Sequence, residues 1–431
     1  MKIILINPPS LGTDDDHLEP SLGLLYIAGT LQHNNYDVKI YEMTGCKNED
    51  DINEKINQIP YGDIYGITVY CTNYPYVKQC IKHIRQINPN AKIILGGPNA
   101  TALPQFTLED SGCDHVIVGE SEFTFLKLVM GIELDLLLPE IIQGHGYADI
   151  DNYPLPAWNL IDLNSFNRVL DGQRVISILS SRGCDNNCTH CNSVIMGGGS
   201  KQVGNVRKVR YRGTKNIIKE MSYIKSLGFN RFRFNDDIFT SNPNLKELSH
   251  EISKLDIKYR IFARLEHLTE ENCKLLIESG CEHVAIGLES LNPDNLKFLR
   301  KTKQIGHEGN IAIAKKHGLT VRVYFIVGLQ YDTYETIEKY FEIASELPFD
   351  EFTVYPLIPY PGTEIWKTPE KFGYTIIDKD FTQYYQIGEN RRTCYALDHD
   401  NFTHEDVEYW VNMATEILER NKIHSGNSVT K

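Results

Sequence analysis

Apolar and polar positions along this chain follow two rhythms. From residue 2 to about 145, short uninterrupted apolar runs alternate with longer stretches patterned at helical spacing. Lys2–Asn7, Asp37–Tyr41, Ile64–Val69, Lys92–Leu95 and His115–Val118 read as strands, because such runs between helices suit a parallel sheet covered on both faces. Leu22–Asn34 and Pro75–Asn88 read as helices. On the second, Val77, Cys80, Ile81, Ile84 and Ile87 share one face, which places Cys80 in the core rather than at a ligand site. The pattern predicts an α/β, doubly wound, Rossmann-like domain over residues 1–148, with its ligand site at the carboxyl ends of the strands.

The polar run 149–152, followed by Pro154 and Pro156, predicts a linker over 149–172. A second series follows, with strands at Val175–Leu179, Arg231–Phe234, Tyr259–Ala263, His283–Ile286, Val321–Ile326 and Phe352–Tyr355. A helix over Thr214–Leu227 carries Ile217, Ile218, Met221, Ile224 and Leu227 on one face and stops at Gly228. Six such strand–helix units predict a partial (β/α)6 barrel over 173–368, with its chemistry on the loops after the strands. The remainder, 369–431, is expected to be mainly helical. In it Val407, Trp410, Val411, Ala414, Ile417 and Leu418 form one stripe of a helix over Glu405–Asn421.

Charge and size narrow the class. A chain of 431 residues fits two or three domains. A net charge of −13 argues against nucleic acid as the main partner, since phosphate binding wants a basic surface. The basic run from Lys201 to Arg212 reads as a solvated or anion-contacting loop. No run of eighteen apolar residues predicts a membrane span. Ten cysteines behind an N-terminus too short for a signal sequence point to a reducing, cytoplasmic setting.

Three of those cysteines carry the chemistry. Cys184, Cys188 and Cys191 form a C-x₃-C-x₂-C loop just after a predicted strand. Zinc, a redox pair or coincidence are the competing readings. Structural zinc closes with four ligands, and the next cysteine, Cys273, falls inside a helical pattern. An iron–sulfur cluster held by three thiolates keeps one iron open for a ligand.

Other strand ends carry chemistry-bearing residues. In the second series these are Asp236 and Asp237, Arg264, Glu289 and Ser290 in Gly-Leu-Glu-Ser, Arg322, and Pro359 and Gly362 in Pro-Tyr-Pro-Gly-Thr. The two acids read either as an ammonium site or as a helix cap, and the two arginines as carboxylate binders or structural ion pairs. The first domain has no G-x-G-x-x-G, so a nicotinamide dinucleotide is not expected. Its strand-end loops instead hold Pro8 and Pro9, Thr72, Gly97, Pro98 and Asn99, and Gly119 and Glu120, with Leu22 and Gly23 opening the first helix.

The cysteine loop resembles that of the radical S-adenosylmethionine (SAM) superfamily. The strand-end set over residues 1–360, with Pro-Ser-Leu-Gly-Leu-Leu-Tyr-Ile-Ala at 20–28, resembles the cobalamin (B12)-dependent branch of it. The resemblance implies a [4Fe–4S] cluster on Cys184, Cys188 and Cys191. SAM would lie at its open iron among His190, Asp236, Asp237, Arg264, Glu289, Ser290, Arg322, Pro359 and Gly362. Cobalamin would lie against Pro8, Pro9, Leu22, Gly23, Thr72, Gly97, Pro98, Asn99, Gly119 and Glu120. His190 stands where the family usually has an aromatic residue, and Asn99 where it usually has histidine. The D-x-H-x-x-G motif of other B12 enzymes is absent, and His17 and His115 lack its neighbours.

The implied activity is C-methylation of an unactivated carbon in a small molecule, through methylcobalamin and a 5′-deoxyadenosyl radical. An electron donor such as flavodoxin or ferredoxin would be needed. Three alternatives stay open: radical cyclisation or rearrangement with the same cofactors; methylthiolation, with Cys46, Cys80 and Cys113 holding a second cluster; and a non-enzymatic corrinoid sensor. Tyr384, Tyr385, Arg391, Arg392 and Cys394, with the loop Ile195–Arg212, are expected near the substrate.

Overall fold

The computed structural model describes residues 1–10, 15–144, 149–193, 209–384 and 396–424. The chain divides into two compact units, residues 1–167 with 192–210, and residues 168–191 with 211–431.

The first unit is a parallel sheet of six strands. They are β1 (Lys2–Asn7), β2 (Asp37–Glu42), β3 (Ile64–Thr68), β4 (Lys92–Gly96), β5 (His115–Val118) and β6 (Ile141–Gln143), in the order β2-β1-β3-β4-β5-β6. The order reverses at β1, as in a doubly wound fold. Helices α1 (Leu22–His33), α2 (Glu49–Asn57), α3 (Tyr74–Ile87), α4 (Pro98–Ala102), α5 (Pro104–Ser111) and α6 (Glu122–Glu133) connect the strands. Ile3 and Leu5 of β1 pack with Leu24, Ala28 and Leu31 of α1 and Phe125 and Val129 of α6. Cys80 is fully buried on α3, and burial pushes its thiol up to about 12, which makes it inert as a ligand.

Residues 149–167, in the stretch expected to link the domains, pack on this unit. Ala157 N–H donates to Leu25 O at 3.0 Å, and Ala157 joins the core beside Leu24 and Ala28. Gly29 of α1 permits this crossing, because any Cβ there would strike the carbonyl of Leu155. Apolar side chains flanking the prolines (Tyr153, Ala157, Trp158) are what bind the segment down.

The second unit holds a seven-stranded parallel sheet. A hairpin of β7 (Val169–Leu170) and β8 (Gln173–Arg174) leads into β9 (Ile176–Ile178), and short extended pieces β10 (Ser181–Arg182) and β11 (Arg210–Tyr211) follow. The sheet continues with β12 (Arg231–Phe234), β13 (Lys258–Ala263), β14 (Cys281–Glu289), β15 (Thr320–Val327) and β16 (Glu351–Pro356). A small hairpin of β17 (Tyr374–Ile376) and β18 (Leu397–His399) precedes the last strand, β19 (Ile423–His424). The order is β19-β16-β15-β14-β13-β12-β9, that is, the six expected strands plus a short seventh.

The sheet has two unlike faces. Phe232, Phe234, Tyr259, Ile261, Val284, Ile286, Val321, Val323, Phe325 and Phe352 alternate toward the helices and are buried. The other positions form an inner face. The helix Thr214–Ser226 ends one residue earlier than its apolar pattern predicts. Gly228, with φ of 99°, turns the chain so that Phe229 N–H reaches Ile224 O and Gly228 N–H reaches Lys225 O. Phe229 is thereby buried, and Leu227 is left 46% exposed. The helix His404–Glu419 is closed by a Thr403/Asp406 capping box and buries Val407, Trp410, Ala414, Ile417 and Leu418.

Asp332, after β15, accepts from Gly328 N–H and Leu329 N–H at 2.9 Å each and from Asn295 Nδ2 at 2.6 Å. Burial outweighs those donors and pushes its carboxyl up to about 7 from an ordinary 3.8. The folded state therefore binds this proton more tightly than the unfolded chain. The contribution falls as pH climbs from about 4 to about 7 and is flat beyond. Asp332→Asn is expected to flatten the dependence of Tm on pH in that window. An unchanged slope would assign the dependence to other groups.

Candidate functional site

The cysteine loop leaves β9 and is fixed at several points within its unit. Asp236, just past β12, accepts from Ser180 N–H at 2.7 Å and Ser181 N–H at 3.2 Å, and also from the Ser180 hydroxyl. Arg212 donates to Leu179 O at 2.7 Å and pairs with the buried Glu220 at 2.5 Å. Thr189 Oγ1 donates to Phe298 O at 3.1 Å, and Arg300 reaches Asn187 O at 3.4 Å. Gly183, with φ of 91°, makes the turn that brings Cys184 off the strand end.

Cys184, Cys188 and Cys191 are reduced thiols, each half-buried. Burial pushes the Cys184 thiol up, the nearby Asp237 and Cys188 add to this, and Asn186 Nδ2 lies 3.6 Å from its sulfur. Arg264 lies within electrostatic reach of Cys184 and Cys188, with its Nε 2.5 Å from Glu266 Oε1. Three soft, unoxidised donors on one anchored loop beside a cation suit an iron–sulfur cluster, whose thiolates a cation stabilises.

Above the cysteines, β14 ends in a bulge between Gly287 and Glu289. Glu289 takes φ of 61°, and its carboxylate meets Lys301 Nζ at 2.8 Å. Lys301 also donates to Gly287 O at 2.6 Å. A Cβ at Gly287 would meet the Glu289 carboxylate, so any other residue there would have to displace the Glu289–Lys301 pair. Although burial opposes ionisation, Lys301 and then His190 hold the Glu289 carboxyl below its ordinary value. His190 is pushed down to about 4, chiefly by burial, and its Nδ1 has no hydrogen-bond partner among the described residues. A neutral ring with an orphaned acceptor or donor at this spot fits a polar ligand edge such as that of SAM.

The remaining expected SAM residues divide. Asp237 is exposed beside Cys184, and Ser290 Oγ accepts from Asn292 N–H at 3.0 Å. Gly362, with φ of 86°, shapes the turn after Pro359 that Thr363 closes onto Tyr360 O at 2.7 Å. Asp236 does not face outward as an ammonium site. Its buried carboxyl is pushed up to about 6 by burial and is committed to Ser180 and Ser181, so it positions the cysteine loop. Arg322 lies within β15, 4% exposed, well below the strand end.

In the first unit the expected cobalamin residues gather at the carboxyl ends of β1, β3, β4 and β5. Pro8 and Pro9 are buried, Leu22 is half-buried, Ser10 Oγ lies 3.1 Å from Thr72 Oγ1, and Gly23 faces open space. Gly97, with φ of 101°, would place a Cβ 3.0 Å from both Val69 N and Val69 O, so only glycine permits this approach. Pro98 starts α4, and Asn99 beside it is 2% exposed with neither Oδ1 nor Nδ2 partnered among the described residues. A buried amide with all its polar atoms idle is costly unless a ligand takes them. Gly119, with φ of 87°, donates its N–H to Thr101 Oγ1 at 3.0 Å. Glu120 is already engaged by Arg210 and by Tyr153 Oη at 2.9 Å, so its carboxylate pins the chain rather than facing a ligand. Arg210 and Arg212, read in sequence as part of a solvated basic loop, are paired with Glu120 and Glu220.

Lys301 and the Ser180–Asp236 link have no local sequence signal, because each joins residues far apart in the chain. A network of His17 Nδ1 to Thr44 Oγ1 (2.6 Å), Thr44 Oγ1 to Glu42 Oε1 (2.7 Å) and Asn7 Nδ2 to Glu42 Oε1 (2.8 Å) was likewise not legible. Tyr384 is fully buried against Trp366 and Phe381. Tyr385, Arg391, Arg392 and Cys394, and residues 195–208 of the expected loop, lie outside the described residues.

Comparison with known proteins gives this geometry a family. Residues 178–344 match the model of the radical SAM superfamily, and residues 13–129 match that of the B12 binding domain. The chain is 31% identical over 398 residues to the uncharacterized methyltransferase PH0819 of Pyrococcus horikoshii, covering 85% of this chain and 83% of that protein. It therefore belongs to the radical SAM superfamily, in the branch that carries a B12-binding domain, and is an enzyme of that class. The cofactors of that class are a [4Fe–4S] cluster, SAM and cobalamin. A second relative, the anaerobic magnesium-protoporphyrin IX monomethyl ester cyclase of Rubrivivax gelatinosus, is 24% identical over 89% of this chain and 72% of its own length. Among solved structures, the radical SAM methyltransferase TsrM from Kitasatospora setae, with cobalamin and a [4Fe–4S] cluster bound, shares the fold. Its TM-score is 0.72 at 15% identity, covering 100% of this chain and 91% of TsrM. No helix among the described residues is long and apolar enough to cross a membrane.

Proposed function

We propose that this enzyme transfers a methyl group to an unactivated carbon of a small molecule. The observation that carries the reading is the pairing, in one chain, of an anchored three-cysteine loop with a B12-binding unit whose Gly97–Asn99 cradle is shaped for a ligand. When bound, the cluster supplies an electron for homolysis of SAM, and cobalamin supplies a carrier for the methyl group. The chain's own residues do the holding. Cys184, Cys188 and Cys191 would ligate three irons, and Arg264 would balance the thiolate charge. His190 and the Glu289–Lys301 pair would orient SAM, with Asp237, Ser290, Pro359 and Gly362 around it. Pro8, Pro9, Leu22, Gly23, Thr72, Gly97, Pro98, Asn99 and Gly119 would seat cobalamin. The reducing equivalent would come from a flavodoxin- or ferredoxin-type donor in a cytoplasmic setting.

Asn99→Ala is expected to weaken corrinoid binding by about tenfold to a hundredfold, the loss of one or two buried hydrogen bonds. Absorbance titration of hydroxocobalamin checks it, and unchanged affinity would take Asn99 out of the site.

Methyl transfer and cyclisation leave different traces. Anaerobic turnover with methyl-labelled SAM and a cell metabolite extract should yield S-adenosylhomocysteine alongside 5′-deoxyadenosine, with label in a product. Abundant 5′-deoxyadenosine without S-adenosylhomocysteine would favour the cyclisation reading, which the cyclase relative also supports. The buried, inert Cys80 speaks against methylthiolation through a second cluster.

A further inference from the structure

The inner face of the second sheet carries a group of three arginines on neighbouring strands. Arg233 and Arg260 sit side by side in register on β12 and β13, and Arg322 sits on β15 opposite Glu351 of β16. Below them in charge but level with them in space runs a row of rings. Phe262 stacks on Tyr324 at 6.4 Å and Tyr324 on Tyr355 at 5.8 Å. The guanidinium carbons of Arg233 and Arg260 lie 5.0 and 5.5 Å from the centre of Phe262, and that of Arg322 lies 5.5 Å from the centre of Tyr324. The rings hold the three flat cations against their faces and so preorganise them.

Arg260 is the informative member. It is 7% exposed, and among the described residues its guanidinium makes one hydrogen bond, to Tyr324 Oη at 2.7 Å, and no ion pair. A cation this deep is costly unless an anion meets it. Its neighbours worsen the cost, since Arg322 and Arg233 repel it. The nearby carboxylate, Glu351, stands 3.9 Å from Arg322, and its Oε2 accepts no hydrogen bond among the described residues. The phenol of Tyr324 responds to the same field: burial would raise it, and Arg260, Arg322 and Arg233 together bring it below its ordinary value. Arg260 lies four residues before Arg264, about 13 Å from it along the chain.

We propose that this inner face is an anion subsite, built on Arg260 with Arg322 and Arg233 beside it, that takes the carboxylate or phosphate group of the substrate. The planar forks match either group bidentately. The inference rests on the chain being an enzyme for a small molecule, and it narrows that molecule to an anionic one.

The test uses the anaerobically reconstituted holoprotein with SAM bound. Inorganic phosphate and malonate are titrated separately, against chloride at matched ionic strength, with Tm and calorimetry as readouts. One of the two anions should bind saturably and raise Tm; the tighter one assigns phosphate or carboxylate. Arg260→Gln should weaken that binding at least tenfold, with SAM affinity within twofold of wild type. Glu351→Gln removes the competing carboxylate and should tighten anion binding by threefold or more, a direction that a purely structural role would not give. If Arg260→Gln does not fold, Glu351→Gln decides: no tightening overturns the subsite. Phosphate and malonate both behaving like chloride also overturns it, as does a tenfold loss of SAM affinity in Arg260→Gln with anion binding intact. The same preparations are assayed for 5′-deoxyadenosine. Its formation without an anion site defeats this inference alone, and an Arg260-dependent anion site without its formation defeats the enzyme reading alone.

Discussion

Replacing Cys184, Cys188 and Cys191 together by alanine is expected to leave the chain folded and able to bind a corrinoid, yet to lower SAM cleavage below about a thousandth of wild type. Removal of a cofactor abolishes its chemistry rather than tuning it. The fold should tolerate the change. All three side chains are half-exposed and none belongs to the core, so little packing is lost. The loop keeps its other anchors, namely Asp236 on Ser180 and Ser181 and Thr189 on Phe298. Iron content, the brown absorbance of the reconstituted protein and 5′-deoxyadenosine yield measure the outcome. A triple variant that still cleaves SAM would place the reactive iron elsewhere.

Lys301→Met should have the largest effect on stability. Lys301 and Glu289 are both buried and meet at 2.8 Å. Removing only the cation strands a carboxylate in the interior, a loss of about 3–5 kcal/mol, or roughly 10 °C in Tm for a unit of this size. The Lys301→Met, Glu289→Gln double variant removes both charges and should recover most of that loss. SAM binding separates structure from function. If the pair orients SAM beside His190, the double variant regains stability but not SAM affinity. Recovery of both would make the pair purely structural.

Much of the fold could be read in the pattern because parallel strands are buried on both faces and leave continuous apolar runs. That holds for β1 and β5, whose limits match the sequence reading, while the limits of β12 match through alternation of arginine and phenylalanine instead. The strand β6 was missed since Ile141–Gln143 is three residues long and half-exposed. The inner face of the second sheet defeats the same logic. Arg260 and Arg322 interrupt the apolar runs of β13 and β15, and nothing local to either strand marks them as buried, yet both are. A glycine position such as Gly97 was visible as a residue, but the collision with Val69 that demands it is tertiary. The cysteine loop was legible because its C-x₃-C-x₂-C spacing lies within eight consecutive residues, which resemble the loop of the radical SAM superfamily. Its anchoring was not, because Asp236 lies 56 residues from Ser180 and could equally have capped a helix.

One experiment bears most directly on the open-iron chemistry proposed for this chain. The protein is purified without oxygen, reconstituted with iron, sulfide and hydroxocobalamin, reduced, and given SAM. About four irons and one corrinoid per chain, with 5′-deoxyadenosine formed at a rate that the cysteine variant loses, is the expected result. Zinc in place of iron at the cysteine loop, or intact SAM in the presence of a fully loaded cluster, would contradict it.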